Sequence, residues 1–412
     1  MVSSGGNRAV ARCDALGVAP HSDMAGGLFR AYLTPAYFAA QDAVADWMTE
    51  AGMSVRRDAA ANLIGRYEGC FPGAPALMIG SHLDSVRDAG RYDGPLGVTL
   101  GIEAVSILHK RGERLPFAVE VIGFGDEEGS RFPAAMLCSR AVAGTLSTEA
   151  LDLVDGDGIA LANAGVDATA YLTAARDPSD VLAYFEAHIE QGPLLEAENL
   201  AVGTVTGIAS QLRYQIEVRG TAGHAGTATM GLRRDALAGT AEMILAAETI
   251  GRAEASDLVA TVGRVEVLPG APNVIAGEAR FSLDVRSGEV VRRDRATEAI
   301  LDAFQKIADR RGLGLATKRV HDLPASPCDP LLMDLLDAAA AAADQPIRRL
   351  VSGAGHDAMA MAALCPTAML FIRCRGGVSH NPAEHVDPAD AEIALQVMLG
   401  FIDRLGATIG QT

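Results

Sequence analysis

The feature that most constrains this chain is an interrupted alternation. Short apolar runs and amphipathic stretches take turns as far as about residue 210, give way to half-exposed strands, and resume near residue 330. Gln41–Ala51 carries Val44, Trp47 and Met48 at helical spacing, with Gly52 as a stop. Ala76–Ile79 and Ala118–Phe124 read as buried strands, and Val98–Leu108 reads as the helix between them. Such alternation predicts an α/β fold on a mostly parallel sheet, where ligands gather at the carboxyl ends of strands. Leu212–Val218 and Ala279–Val285 instead alternate with period two, and helical stretches follow over 234–249 and 290–311. This predicts a separate α+β domain with one sheet face covered. Three prolines within residues 323–330 mark a return hinge. A helix near 331–342, a strand near 367–372 and a last helix over 389–405 then complete the first pattern. The expected division is residues 1–210 with 328–412 for one domain and 211–327 for an insertion.

Length and composition fit that division. The 412 residues are too many for one ordinary core, and 49% hydrophobic against 21% charged is a globular balance. A net charge of −17 argues against nucleic acid and anionic membranes as partners. No run is long enough to span a bilayer, and Met1–Asn7 lacks the basic start and apolar stretch of a secretory signal. Six scattered cysteines without a CxxC pair read as reduced thiols, so a cytoplasmic location is expected.

Metal-capable side chains concentrate in five short segments. They are Gly80-Ser-His-Leu-Asp84 with Arg91-Tyr-Asp-Gly94, Gly125-Asp-Glu-Glu-Gly-Ser-Arg131, Ala187-His-Ile-Glu-Gln-Gly192, Gly355-His-Asp357 and Gly377-Val-Ser-His-Asn381. Two follow directly on apolar strands. His82, Asp93, Glu128, His188 and His380 would supply three neutral nitrogens and two carboxylates, one able to bridge two cations. Asp84, two residues beyond His82 on an extended segment, could accept the second ring N–H of His82 and orient it. Adjacent residues on an extended chain point opposite ways, so Glu128 could bind metal while Glu127 faces substrate as general base.

These segments, in this order, resemble the binuclear branch of the M20 metallopeptidase-like amidohydrolases. The GSHLDS, DEEGSRFP, HIEQGP, AGHAGT, SGAGHDA and SHNPAEH segments are similar to those of the hydantoinase/carbamoylase family over residues 80–385. That family includes N-carbamoyl-L-amino acid hydrolases, β-ureidopropionases and allantoate amidohydrolases. The resemblance implies a zinc-peptidase-like catalytic domain with an inserted lid and dimerisation domain, and a homodimer. It implies two divalent ions (zinc, manganese, cobalt or nickel), with Asp93 bridging, His82 and His188 on different metals, Glu128 and His380 completing the cage, and Glu127 as base. It assigns Gln191, Gln211, His224, Asn273, Arg286 and His356 to the substrate, a small ureido or carbamoyl compound with a carboxylate. Within that set, Arg286 offers a fork matched to the carboxylate and His224 could stabilise charge on the attacked oxygen. Cys138-Ser-Arg140 departs from the family's Gly-Ser-Arg, a change expected to affect packing. The expected activity is hydrolysis of the carbamoyl C–N bond of an N-carbamoyl-L-amino acid, with an allantoate amidohydrolase as the nearest alternative. A non-catalytic ureido or amino-acid binding protein would have lost a ligand or the base, and all six are present. His109, His321 and His385 match no ligand position, and His21 falls in no interpretable segment.

Overall fold

The computed structural model describes residues 4–254 and 257–410, so positions 1–3, 255–256 and 411–412 of the expected domains lie outside the described residues. The chain divides into two compact units. One holds the residues up to Thr206, Cys328–Leu350 and everything from Ala354; the other holds Gly207–Pro327 and Val351–Gly353.

In the first unit, seven strands lie in the order Ser54–Arg57, Leu63–Tyr67, Ala118–Phe124, Ala76–His82, Val181–Ile189, Thr367–Ile372 and Val202–Ile208. The expected mostly parallel sheet holds only at the centre. Ala118–Phe124, Ala76–His82, Val181–Ile189 and Thr367–Ile372 are parallel neighbours. The outer pairings on both sides are antiparallel. Parallel neighbours need a crossover between them, and the Pro95–Arg111 helix makes one, joining Ala76–His82 to Ala118–Phe124. Every residue of both strands is buried, which explains their unbroken apolar runs. The helices Gly5–Leu16, Pro95–Arg111 and Pro388–Ile409 pack on one another, and Pro330–Ala342 packs on the last of them. The first of these was missed from sequence, although Ala9, Val10, Cys13 and Leu16 recur at helical spacing and are buried.

The helix ends obey simple rules. Asp329 caps Pro330–Ala342 by accepting from Leu332 N, and a left-handed Gly112 closes Pro95–Arg111. Cys138 is buried with its Sγ 3.2 Å from Ala60 O, so the departure at this position is one of packing. All six cysteines are unpaired, and only Cys70 is exposed.

The second unit builds an antiparallel sheet in the order Val265–Leu268, Glu278–Ser287, Ser210–Arg219, Gly314–Leu323. The period-two pattern sends Ile216, Val218, Phe281, Leu283 and Val285 into a core with Ile300 and Phe304. Ile300 and Phe304 come from the Val290–Arg311 helix, which packs beside Ala236–Ala253. Each of these large side chains contributes about 1.5–3 kcal/mol on burial. Arg213, Gln215 and Arg219 point to the other, exposed side. Among the described residues, no helix is long and apolar enough to cross a membrane.

Candidate metal centre

The sheet of the first unit positions the site. His82 ends the Ala76–His82 strand and His188 sits one residue from the end of Val181–Ile189. These strands are parallel neighbours with Ile79 opposite Phe185, so three residues further on His82 and His188 emerge side by side. Asp93 lies just before the Pro95–Arg111 helix. The turn there needs glycine at 94, because its φ is +85° and a Cβ would come within 2.6 Å of the His82 ring.

Asp93 is the hub. Its Oδ1 lies 3.5 Å from His82 Nε2 and 3.1 Å from His188 Nε2. Its Oδ2 lies 3.2 Å from His380 Nε2, which is also 3.4 Å from Glu128 Oε1. Around Asp93 the expected ligands form two groups able to hold a cation: His82, Asp93 and His188, and Asp93, Glu128 and His380. His82 also lies with Glu127 and Glu128, and His188 with Glu186 and His356. His82 and His188, expected on different ions, face the same oxygen of Asp93. Neighbouring parallel strands deliver both rings to one carboxylate oxygen, a consequence of strand order that spacing in the chain does not reveal.

The other ring nitrogens are committed. His82 Nδ1 is 3.1 Å from Asp84 O, and His188 Nδ1 is 2.9 Å from Ile189 O. A carbonyl can only accept, so each Nδ1 carries a proton, and in its neutral form each ring turns an Nε2 lone pair toward Asp93 Oδ1. Asp93 Oδ1 and His188 Nε2 are both buried and make no hydrogen bond. Lone pairs gathered at this spacing repel unless a positive charge lies among them, so the donor set fits a divalent cation.

Asp84 has a different role from the one expected. Its Oδ1 stands 3.7 Å from His82 Nδ1, beyond hydrogen-bond reach, because the backbone carbonyl takes that N–H. The carboxylate instead accepts Glu127 N at 3.2 Å and Glu128 N at 3.3 Å. Glu127 and Glu128 do not diverge either. Asp126 and Gly129 have φ of +54° and +59°, so the chain bends rather than extends, and both carboxylates come within 4.8 Å of a His82 nitrogen.

The electrostatics follow from burial and crowding. Burial, together with neighbouring acids including Asp357, Glu128 and Asp84, holds the Glu127 carboxyl well above its ordinary range. Burial and then Asp93 push Glu128 up to about 7. Burial would raise Asp93 too, but the close imidazoles of His188, His380 and His82 hold it well below the usual range. His380, mainly through Asp93, is raised to about 9. His356 goes the other way: burial and then His188, whose ring lies 4.4 Å away, hold it neutral.

The remaining expected residues fall into two places. Gln191 and His356 line the same cavity as the cluster, a space of about 230 Å³ that also includes Met136 and Gly355. Gln191 is already engaged, its Nε2 donating to Asp93 Oδ2 at 2.8 Å and to Ser379 Oγ at 3.2 Å. Gln211, His224, Asn273 and Arg286 belong to the second unit and form two pairs there. Gln211 and Arg286 face each other across paired strands and both donate to Asp284, Gln211 at 2.6 Å and Arg286 Nε at 2.8 Å. His224 is exposed and accepts from Gly226 N at 3.0 Å, while Asn273 accepts Ala225 N on its backbone oxygen. His21, which falls in no interpretable segment, bonds Ala15 O through Nδ1. Ser379, Glu384 and Asp284 were missed. Asp284 stands two residues before Arg286 on one strand face, and the other two lie inside the SHNPAEH segment, so their positions were open to notice.

A sequence profile of peptidase family M20/M25/M40 matches residues 78–404. A crystal structure of a hydantoinase/carbamoylase family amidase from Burkholderia ambifaria is 36% identical, superposes with a TM-score of 0.88, and is matched over 98% of both chains. The chain belongs to the M20 family, in its hydantoinase/carbamoylase branch. Among relatives in this branch, an N-carbamoyl-L-amino acid amidohydrolase of Geobacillus stearothermophilus is 42% identical over 90% of this chain and 92% of its own. An allantoate deiminase of Arabidopsis thaliana is 39% identical over 96% and 82%. M20 architecture accounts for the mixed α/β sheet and the second, smaller unit.

Proposed function

We propose that this M20 amidohydrolase cleaves the carbamoyl C–N bond of an N-carbamoyl-L-amino acid. One observation carries the reading: the two oxygens of Asp93 face two separate ligand groups, so that one buried carboxylate can serve two cations at once. His82, Asp93 and His188 would hold one, and Asp93, Glu128 and His380 the other. When bound, such cations supply Lewis acidity, lowering the pKa of water and polarising the carbonyl under attack.

The chain's own residues do the rest. Asp84 holds the Glu127 backbone, so the Glu127 carboxylate is fixed at the cavity wall. Burial raises its proton affinity, which suits a group that accepts a proton from water and passes it to the leaving nitrogen. Neutral His356 forms part of the wall and adds no charge. Arg286, with its fork oriented by Asp284, is assigned with Asn273 to the substrate carboxylate, His224 to charge developing on the attacked oxygen, and Gln191, Gln211 and His356 to the other polar groups. Water adds to the ureido carbonyl, the terminal C–N bond breaks, ammonia leaves with the proton from Glu127, and the remaining carbamic acid loses carbon dioxide.

The second reading is an allantoate substrate, favoured by the 39% identity to the plant allantoate deiminase over nearly the whole chain. Ammonia release measured across N-carbamoyl-L-amino acids, β-ureidopropionate and allantoate decides between them. Turnover of the first class above the others supports the proposal, and turnover of none removes it. Glu127→Gln should lower kcat by about 10²–10⁴-fold while metal content, read by elemental analysis, stays unchanged.

A further inference from the structure

The two loops that face each other across Asp93 Oδ2 are joined by a buried carboxylate that no role in the reaction accounts for. Glu384 is 5% exposed. Its Oε1 accepts two backbone amides, Tyr92 N at 2.8 Å and Asp93 N at 3.1 Å. Its Oε2 lies 3.1 Å from Ser379 Oγ, and that hydroxyl donates to Asp93 Oδ2 at 2.7 Å. One side chain thus grips the Asp93 backbone directly, and the single Ser379 hydroxyl proton is shared between it and the Asp93 carboxylate. Ser379 is the neighbour of His380, so the same grip sets the His380 loop against the Asp93 loop.

The fit is tight as well as bonded. A Cβ on Gly90 would fall 2.2 Å from the Glu384 carboxyl carbon, so only glycine lets the Asp93 loop lie this close. Gln191 closes the ring by donating to both Asp93 Oδ2 and Ser379 Oγ. Among the described residues, nothing comparable links Glu384 to His82 or His188, which lean on Asp84 O and Ile189 O.

We propose that Glu384 is a positioning residue for one cation of the pair, the one between Asp93, Glu128 and His380, and that it acts by fixing the spacing of Asp93 to His380. The inference rests on the two-cation reading above. It concerns hydrogen-bond geometry, not charge. A glutamine at 384 can still accept both amides on its oxygen and donate to Ser379 from its nitrogen, so it should preserve the spacing that alanine abolishes.

The test is a chelator-competition titration with zinc on the purified full-length protein, in which His188→Ala and His380→Ala identify the binding step belonging to each cation. Glu384→Ala should weaken the step lost in His380→Ala by about 10–100-fold, the usual scale for partners that orient a ligand, and leave the other within about threefold. Glu384→Gln should bind both as the wild type does. Equal weakening of both steps, wild-type affinity in Glu384→Ala, or a glutamine variant as weak as alanine would each overturn the proposal. If Glu384→Ala does not fold, Ser379→Ala takes its place and must weaken the same single step. A wild-type protein that binds no zinc would remove the underlying two-cation reading, a result distinct from two tight steps that Glu384→Ala leaves untouched.

Discussion

Asp84 accepts the backbone N–H of Glu127 at 3.2 Å, and through it one strand end holds the acid of the next. The Ala76–His82 and Ala118–Phe124 strands are parallel neighbours, so their carboxyl ends lie together and a residue just beyond one can brace a loop just beyond the other.

An asparagine at 84 tests this bracing. Asp84→Asn keeps one acceptor but turns an N–H₂ toward the second amide, so either Glu127 N or Glu128 N is left without a partner. We expect kcat to fall by about 10–100-fold with both cations still bound, the usual effect of removing a hydrogen bond that orients a working group. Steady-state kinetics beside elemental analysis reads the two effects separately, and an unchanged kcat would show that the bend holds without Asp84.

Chelation should inactivate the protein and lower its melting temperature together. Cations that bind only the folded state stabilise it by mass action, about 2.7 kcal/mol at a free concentration a hundred times Kd. Zinc, manganese, cobalt or nickel added back should restore both, because the mixed nitrogen and oxygen donor set accepts each of them. Calorimetry before and after stripping checks this, and full activity in demonstrably metal-free protein would contradict it.

Gly94→Ala places a Cβ in the left-handed region and against the His82 ring. Backbone strain of this kind costs about 1–3 kcal/mol. The expected outcome is a lower urea midpoint together with weaker zinc binding at the His82 and His188 side. Loss of stability with unaltered zinc affinity would mean that His82 moves aside without consequence.

Arg286→Lys keeps the positive charge and removes the fork. Asp284 would then hold a point charge where it now orients a planar one. KM for a carbamoyl amino acid should rise about tenfold or more with kcat changed less, since the group contributes binding away from the reacting atoms. A fall in kcat at constant KM would move Arg286 out of the carboxylate role.

Much of this molecule is legible along the chain. Apolar runs place Ala118–Phe124 and Thr367–Ile372 to the residue, the 3.6-residue period places Val290–Arg311, and the five polar segments hold His82, Asp93, Glu128, His188 and His380. These are local properties, set by which side chains recur at which interval and by what stops them.

Other features depend on which strand lies beside which. His82 and His188 meet the same oxygen of Asp93 because residues more than a hundred positions apart end neighbouring parallel strands. Asp84 turns to the Glu127 and Glu128 amides, and Glu384 reaches back almost three hundred residues to the Tyr92 and Asp93 amides. Interval and composition set the kinds of groups available, while hydrogen-bond partners act through space over about 3 Å and are chosen only when packing brings distant backbone within that range.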